Sequence, residues 1–421
     1  MAKKSHDIVV VGGGAAGITV AAILKRKDAS LNVAVIEPSD THYYQPALTL
    51  VGGGAFDIAK VHRTEASVMP KGVEWIKDYA AAFDPENNEV ILQSGDVLSY
   101  EQLVVCPGLR LDWNKIEGLE DTIGENGVCS NYLPQYASYT WECVKKLQIG
   151  DVALFTQPQM PIKCAGAPQK IAYLTADRLK QRGLLNDVTL RFFTPLAAMF
   201  GVPYFSKELD KVVKRYGIDP NFKHELIGID GKNKVARFQT TDNDDKREIE
   251  VSFDMIHVTP PQSAPQFIQD SPLANDAGWV DVNQHTLQHQ RFNNIFSLGD
   301  IASTPNAKTA AAVRKQAPVV VNNLMALRAS GSLLSEYDGY GSCPLTTALD
   351  KVILAEFTYG GKVTPTLPLE PSKERYSMWL LKKYGLPIMY WGYMLKGMTW
   401  DMHHDTHYPK KIEQRLAHGT K

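Results

Sequence analysis

An α/β architecture of two nucleotide-binding-type domains is what the sequence predicts, and three stretches predict it. "DIVVVGGGAAGITVAAILKRK" (7–27) reads as a buried strand, a glycine loop and a helix. "DVALFTQPQMPIKCAGAPQKIAYLTADRLKQRG" (151–183) repeats the order strand, loop, helix. "RFNNIFSLGDIASTPNAKTAAAVRKQA" (291–317) is a third strand, loop and alanine-rich helix. A chain of 421 residues has room for two or three domains. The expected division is a first domain in two segments, 1–113 and 286–335, a second domain inserted at 114–285, and a C-terminal region at 336–421.

The first stretch carries the most chemistry. Ile8 to Val11 has the unbroken apolar run of a buried parallel strand. Gly12, Gly14 and Gly17 follow as G-x-G-x-x-G, with Ala15 and Ala16 opening the helix. The glycines permit a tight turn, close approach of a pyrophosphate and close helix–strand packing. The free N–H groups and positive end of the helix then hold the phosphates. A second strand, "LNVAVIE", ends at Glu37, twenty residues after Gly17. A carboxylate there accepts hydrogen bonds from a ribose and disfavours a 2′-phosphate. This is a Rossmann-like dinucleotide site, shared by flavin and nicotinamide proteins.

The third stretch separates those two. An Asp after a Gly at a strand end, followed by an alanine-rich helix, resembles the second FAD signature of flavoproteins with two dinucleotide folds. The resemblance implies FAD, with Asp300 on the ribityl chain and Lys308 and Thr309 near the flavin ring. Negative charge builds on the ring on reduction, and a helix N-terminus and a lysine stabilise it. "YEQLVVCPGLRLDW" (100–113) resembles the strand-then-Thr-Gly segment of the same proteins, with Cys106, Pro107 and Gly108 in the turn. The backbone role of Gly108 survives the missing threonine.

In the second domain the glycine fingerprint is absent. Between strand and helix stands "PQMPIKCAGAP", with Gly166 as its one glycine and prolines crowding the turn. NAD(P)H is therefore not the expected electron donor. Cys164 occupies the loop instead, at a helix N-terminus that lowers thiol pKa and favours thiolate. Far downstream, Cys343 sits in "YDGYGSCPLTT", which reads as an accessible Gly/Ser/Pro loop. The two are 179 residues apart and nothing local dictates that they pair. Cys106 and Cys143 read as small core residues; Cys129 is ambiguous.

Together with the glycine loop, "HYYQPALTLVGGG" (42–54), "KCAGAPQKI", "FGVPYF" (200–205), "HVTPP" (257–261), "AGWVDV" (277–282), "SLGDIASTPNAKTAAAV", "YDGYGSCPL" and "VILAEFTYGG" resemble the sulfide:quinone oxidoreductases, type II branch. The resemblance runs over nearly the whole chain, in order. It implies FAD, hydrogen sulfide as reductant and ubiquinone or a similar quinone as acceptor. Cys164 and Cys343 match the family's redox cysteines, joined by a disulfide or a sulfur bridge. Sulfide is expected to attack the accessible Cys343, leaving a persulfide, while Cys164 faces the flavin. A small acceptor (glutathione, sulfite, coenzyme A or cyanide) removes the sulfur. Gln169 and Lys170 stand where the type I branch has an acid, so no general base is assigned. Gln45 joins the expected cofactor contacts. A homodimer is compatible with the resemblance.

A quinone substrate requires contact with lipid. "YGLPIMYWGYML" (384–395) is uncharged, too short to span a bilayer, and interrupted by Pro387. Its Tyr and Trp residues and flanking Lys382, Lys383 and Lys396 suit an interfacial segment. Tyr43, Tyr44, Pro46, Phe357 and the aromatic at 391, Trp391, are candidates for the quinone pocket. His403 and His407 have helical ligand spacing without a third ligand and read as a solvated tail, so no metal is expected.

The formal charge of −1 gives no reason to expect nucleic acid. Five scattered cysteines exclude a disulfide scaffold. With only "MAKKSH" ahead of the first strand, no signal or transit peptide is seen. The expectation is a peripheral protein on the cytoplasmic face of a bacterial inner membrane. The alternatives are a single-subunit NADH:quinone oxidoreductase, which needs the missing glycine loop, and a flavin-binding interaction protein without turnover.

Overall fold

A computed structural model describes residues 4–241 and 246–398 of the chain; His403 and His407 lie outside the described residues. Two sheets organise the fold, the first mixed with a parallel centre and the second parallel throughout. In the first, Lys4–Val11 is central and pairs in parallel with Val33–Ile36 on one side and Val97–Val105 on the other. Ile295–Ser297 adds to Val97–Val105, again in parallel, so a segment nearly two hundred residues later completes this sheet. Strands covered on both faces have no solvent side, which is why Ile8–Val11 and Val33–Ile36 are apolar throughout.

The helix Ala15–Lys27 leaves the first strand through the glycine loop and packs on the sheet and against the helix Ala310–Ser330, which also meets the sheet. Two glycines here are obligatory. Gly12 has φ +102°, and a Cβ on Gly17 would stand 1.8 Å from the Gly12 carbonyl oxygen. Basic Lys25, Arg26 and Lys27 close the helix where its dipole favours cations.

The second sheet is five parallel strands in the order Val128–Cys129, Met255–His257, Val152–Thr156, Thr189–Thr194, Asp219–Phe222. The helix Ala167–Gln181 makes the crossover from Val152–Thr156 to Thr189–Thr194. A three-stranded antiparallel sheet, His224–Ser252, covers one side through Phe193 and Phe238, stacked with centroids 3.9 Å apart. Residues beyond this sheet return early to the first domain: Ala264, Ile268, Leu273, Val280 and Val282 pack with Val9, Val11 and Leu103. We propose that the first domain's second segment opens near Ala264 rather than at residue 286.

The hairpin Gly341–Ala348 and Lys351–Phe357 lies on the helix Ala167–Gln181, where Leu345, Ile353 and Ala355 join its apolar residues Ile171 and Ala172. After it the chain runs through Tyr376–Leu380, a π-helical turn at Leu381–Gly385, and Leu386–Gly392. Pro387 lacks the amide proton a regular α-helix needs there, and the wide turn precedes it.

Candidate active site

A cavity of about 390 Å³ runs from the glycine loop to the cysteine loop. Gly14, Ala15, Ala16, Glu37, Gln45, Gly108, Asp300, Lys308 and Thr309 line it, while Gly12 and Gly17 lie behind the loop they shape. The Gly14 N-cap makes no side-chain bond, and a Cβ there would meet nothing within 4 Å. The helix N-terminus therefore faces open space, as a phosphate site requires. Glu37 accepts the Gly13 N–H at 2.8 Å, and burial pushes its carboxyl up in pKa.

At the far end Thr309 is the N-cap of Ala310–Ser330, its hydroxyl accepting the Ala312 N–H at 3.1 Å. Thr309, Ala310 and Ala311 line the cavity, so the helix N-terminus lies on its wall. Lys308 lies over the Trp279 ring at 4.3 Å and donates to the carbonyls of Asp300 and Ala302. Burial lowers its pKa to about 8 against the pull of Asp300. The Asp300 carboxyl is pushed up by burial, with Lys308 and Lys163 opposing. Lys163 donates to Gln45 Oε1 at 2.7 Å and so ties the two walls together.

The loop "PIKCAGAP" is anchored by its backbone. The Cys164 N–H donates to the Lys308 carbonyl at 2.8 Å, and Cys164 adopts φ +52°, a conformation rare outside glycine. Its sulfur lies 3.8 Å from Cys343 Sγ, and Lys170 Nζ lies 3.2 Å from it. The helix opens at Ala167, so Cys164 precedes its first turn and Lys170 stands within it. The Cys343 thiol, then Lys170 and Lys382, hold the Cys164 thiol well below its usual pKa. Cys343 is pushed the other way, by that same bond to Cys164 and by burial. Lys382 donates to the Pro46 carbonyl at 2.7 Å, and burial lowers its pKa to about 8. Buried ammonium groups cost several kcal/mol each unless an anion compensates, and the low-pKa Cys164 sulfur is the group beside them suited to carry that charge.

Three expectations need correction. Cys343 is not in an accessible loop: it pairs with Ala355 in a strand and is 2% exposed. Its neighbours alternate as a strand whose inward face meets the helix Ala167–Gln181. Phe357 does not line the cavity; its ring packs against Phe200 in the second domain's core. Trp391 is also core, under the Arg63 guanidinium at 4.4 Å. Its neighbour Tyr390 lines the cavity instead, with Tyr43 and Pro46.

Cys106, Cys129 and Cys143 are buried, and of these Cys106 lines the cavity with Pro107 and Gly108. Lys382 reads in sequence only as a flanking interfacial cation, and His42, Glu65 and Tyr390 carry no site signal. The His42 ring bonds Tyr390 Oη at 2.6 Å and Glu65 at 3.2 Å, joining three distant segments. Lys170 had a readable signal: a cation in the first turn of a helix is electrostatically misplaced unless it serves an anion.

Residues 6–135 match the pyridine nucleotide-disulphide oxidoreductase family. The mitochondrial sulfide:quinone oxidoreductase of Dictyostelium discoideum is 45% identical over 94% of this chain and 87% of its own length. The chain belongs to the sulfide:quinone oxidoreductase family. The mitochondrial sulfide:quinone oxidoreductase of Mus musculus is 40% identical over 94% of this chain and 88% of its own. The solved sulfide:quinone oxidoreductase of Aquifex aeolicus superposes with a TM-score of 0.78 at 19% identity, over 94% of this chain and 92% of that one. That likeness concerns the fold. Membership implies a flavin cofactor, and the open glycine loop, the uncapped helix N-terminus and the elongated cavity fit one. The NADH dehydrogenase alternative is not favoured.

Proposed function

We propose that the protein oxidises hydrogen sulfide to sulfane sulfur and reduces a membrane quinone, using FAD and the Cys164–Cys343 pair. The observation that carries this is the 3.8 Å approach of two sulfurs 179 residues apart, with Lys170 at 3.2 Å and Cys164 on the wall of the cavity that begins at the glycine loop. In the oxidised pair, hydrosulfide attacks Cys343 Sγ. The Cys164–Cys343 bond breaks, a Cys343 persulfide forms, and Cys164 leaves as thiolate. The sulfur of lower pKa is the better leaving group, which supports this direction. Lys170 and Lys382 hold the developing negative charge. An acceptor nucleophile (glutathione, sulfite, coenzyme A or cyanide) takes the outer sulfur, and re-forming the Cys164–Cys343 bond releases two electrons. When bound, FAD accepts that electron pair and passes it to the quinone.

Gly14, Ala15, Ala16, Glu37, Gly108, Asp300 and Thr309 are the residues we assign to the cofactor, and Tyr43, Pro46 and Tyr390 to the quinone side. The C-terminal segment supports attachment to a lipid surface. Tyr376, Leu380, Tyr384 and Ile388 are exposed at four-residue spacing, one stripe along one side. Among the described residues no helix is long and apolar enough to cross a membrane. We assign the protein to one membrane surface, in a bacterial cell the cytoplasmic face, as a monomer or homodimer.

Anaerobic addition of sulfide to the flavin-loaded protein tests the proposal. The flavin band should bleach and a short-chain ubiquinone analogue should restore it. An unbleached band would overturn it.

A further inference from the structure

The second sheet carries a polar edge that the cysteine chemistry does not use. Cys129 lies opposite His257, and His257 opposite Phe155. Just beyond these last paired residues, the three parallel strands run on at their carboxyl ends to Asn131, Thr259 and Gln157. Open α/β sheets bind ligands at that edge. Among the described residues, thirteen buried side-chain polar atoms have no hydrogen-bond partner. Six of them cluster here: both amide atoms of Asn131, Gln157 Oε1, His257 Nδ1, Thr259 Oγ1 and Gln262 Nε2. Folded proteins leave few such atoms unpaired, and a group of them marks a polar occupant.

The chemistry of the set is specific. His257 Nε2 accepts the Asn131 N–H at 3.0 Å, so the ring proton sits on Nδ1 as a donor. Burial keeps that ring neutral, with a pKa lowered to about 3. Gln262 Oε1 accepts the Lys163 N–H at 2.7 Å, which leaves its amide NH₂ unpaired. His257, Gln262 and Asn131 thus hold unpaired donors, and Asn131 and Gln157 unpaired acceptors, with no carboxylate among them. A small anion carrying one hydrogen satisfies both kinds.

The edge adjoins the cysteines. Asn131 and Tyr132 line the main cavity with Lys163 and Cys164. The Tyr132 hydroxyl donates to the Lys163 carbonyl at 3.3 Å, stands beside the Thr259 hydroxyl within hydrogen-bonding reach, and lies within electrostatic reach of Cys164 and Cys343. Cys343 itself is not on the cavity wall, so its attacker needs an approach other than the cofactor space.

We infer that the Asn131–Thr259–Gln157 row with His257 and Gln262 is a binding site for hydrosulfide beside the Cys164–Cys343 pair. This rests on the sulfide chemistry proposed above. The test is steady-state kinetics of flavin-loaded Thr259→Val, which keeps the side chain's shape, with sulfide varied at saturating short-chain quinone. KM for sulfide should rise roughly tenfold, the loss of one hydrogen-bonded contact, while kcat, KM for quinone and flavin content hold. Gln157→Leu reads the same parameter at the other end of the row if the first variant does not fold. An unchanged KM for sulfide with equal or higher Tm would mean that the edge holds ordered water only, and would overturn the inference. A fall in kcat at constant KM would overturn it too. A wild-type protein that sulfide does not bleach overturns both this site and the function above; an active wild type with unaltered variants overturns this site alone.

Discussion

Lys170 Nζ lies 3.2 Å from Cys164 Sγ, six residues along the chain and inside the first turn of the helix Ala167–Gln181. The lysine is fully enclosed and the cysteine half-buried. Each makes the other's charge tolerable: burial raises the cost of an ammonium, and the thiolate offsets it.

Lys170→Met should therefore shift the pH dependence of Cys164. Its thiol is held well below its usual pKa, by the Cys343 thiol first and Lys170 and Lys382 next. Without Lys170 the midpoint moves up, so the thiolate fraction at neutral pH falls. Iodoacetamide labelling of the reduced protein across pH measures this. A one-unit rise corresponds to about a tenfold lower rate below the midpoint. An unmoved profile would remove Lys170 from the site.

Cys164→Ser and Cys343→Ser should each lose nearly all sulfide-dependent quinone reduction while retaining flavin. Neither sulfur contacts the glycine loop, so cofactor content is the internal control. Cys143→Ser should alter stability alone, since Cys143 lies in the second domain's core. Substantial turnover in either of the first two variants would break the pairing.

NADH should not bleach the flavin at a useful rate. The loop between Thr156 and Ala167 carries Cys164 and Pro161 where a second pyrophosphate cradle needs glycines. Stopped-flow mixing with excess NADH is the measurement, and rapid bleaching would restore the dehydrogenase alternative.

Gly17→Ala should fold poorly or emerge without flavin. The new Cβ falls 1.8 Å from the Gly12 carbonyl oxygen, a backbone atom that cannot swing aside. The 450 nm absorbance per protein, on the order of the usual flavin band, together with Tm reads the outcome. Full loading would mean that the loop relaxes more than its packing implies.

Ile388→Asp and Tyr384→Asp should release the protein from vesicles. These side chains are 62% and 55% exposed and contribute to the apolar stripe. Each should weaken vesicle partition by roughly tenfold or more, on the scale of burying one such side chain. Turnover with a long-tailed quinone should fall more than with a short soluble analogue. Truncation before Ser377 is a poorer test, because it also removes the buried Lys382 and Tyr390 from the cavity wall. Sedimentation with liposomes that survives both substitutions would put the anchor elsewhere.

What the sequence determined by itself was whatever is local and periodic. The strand, glycine triplet, helix and Glu37 lie within thirty-odd residues, and their spacing alone forces a dinucleotide turn. The loss of the second glycine loop was equally plain, because a missing residue type needs no coordinates. The apolar run near the C-terminus was legible as too short to span. Tertiary structure decided the rest, because the deciding contacts join residues far apart in sequence. Only the folding of the hairpin Gly341–Phe357 onto the helix Ala167–Gln181 brings Cys343 to Cys164, and it buries a cysteine whose Gly, Ser and Pro neighbours suggested a loop. Tyr390 and Trp391 share one apolar cluster, and a shift of one residue along the helix, about 100° in facing, lets Tyr390 reach the cavity while Trp391 does not. Lys382 reads in sequence as a flanking surface cation. It becomes part of the sulfur site because the exposed stripe of Tyr376, Leu380, Tyr384 and Ile388 leaves it on the opposite, inward side of the same segment.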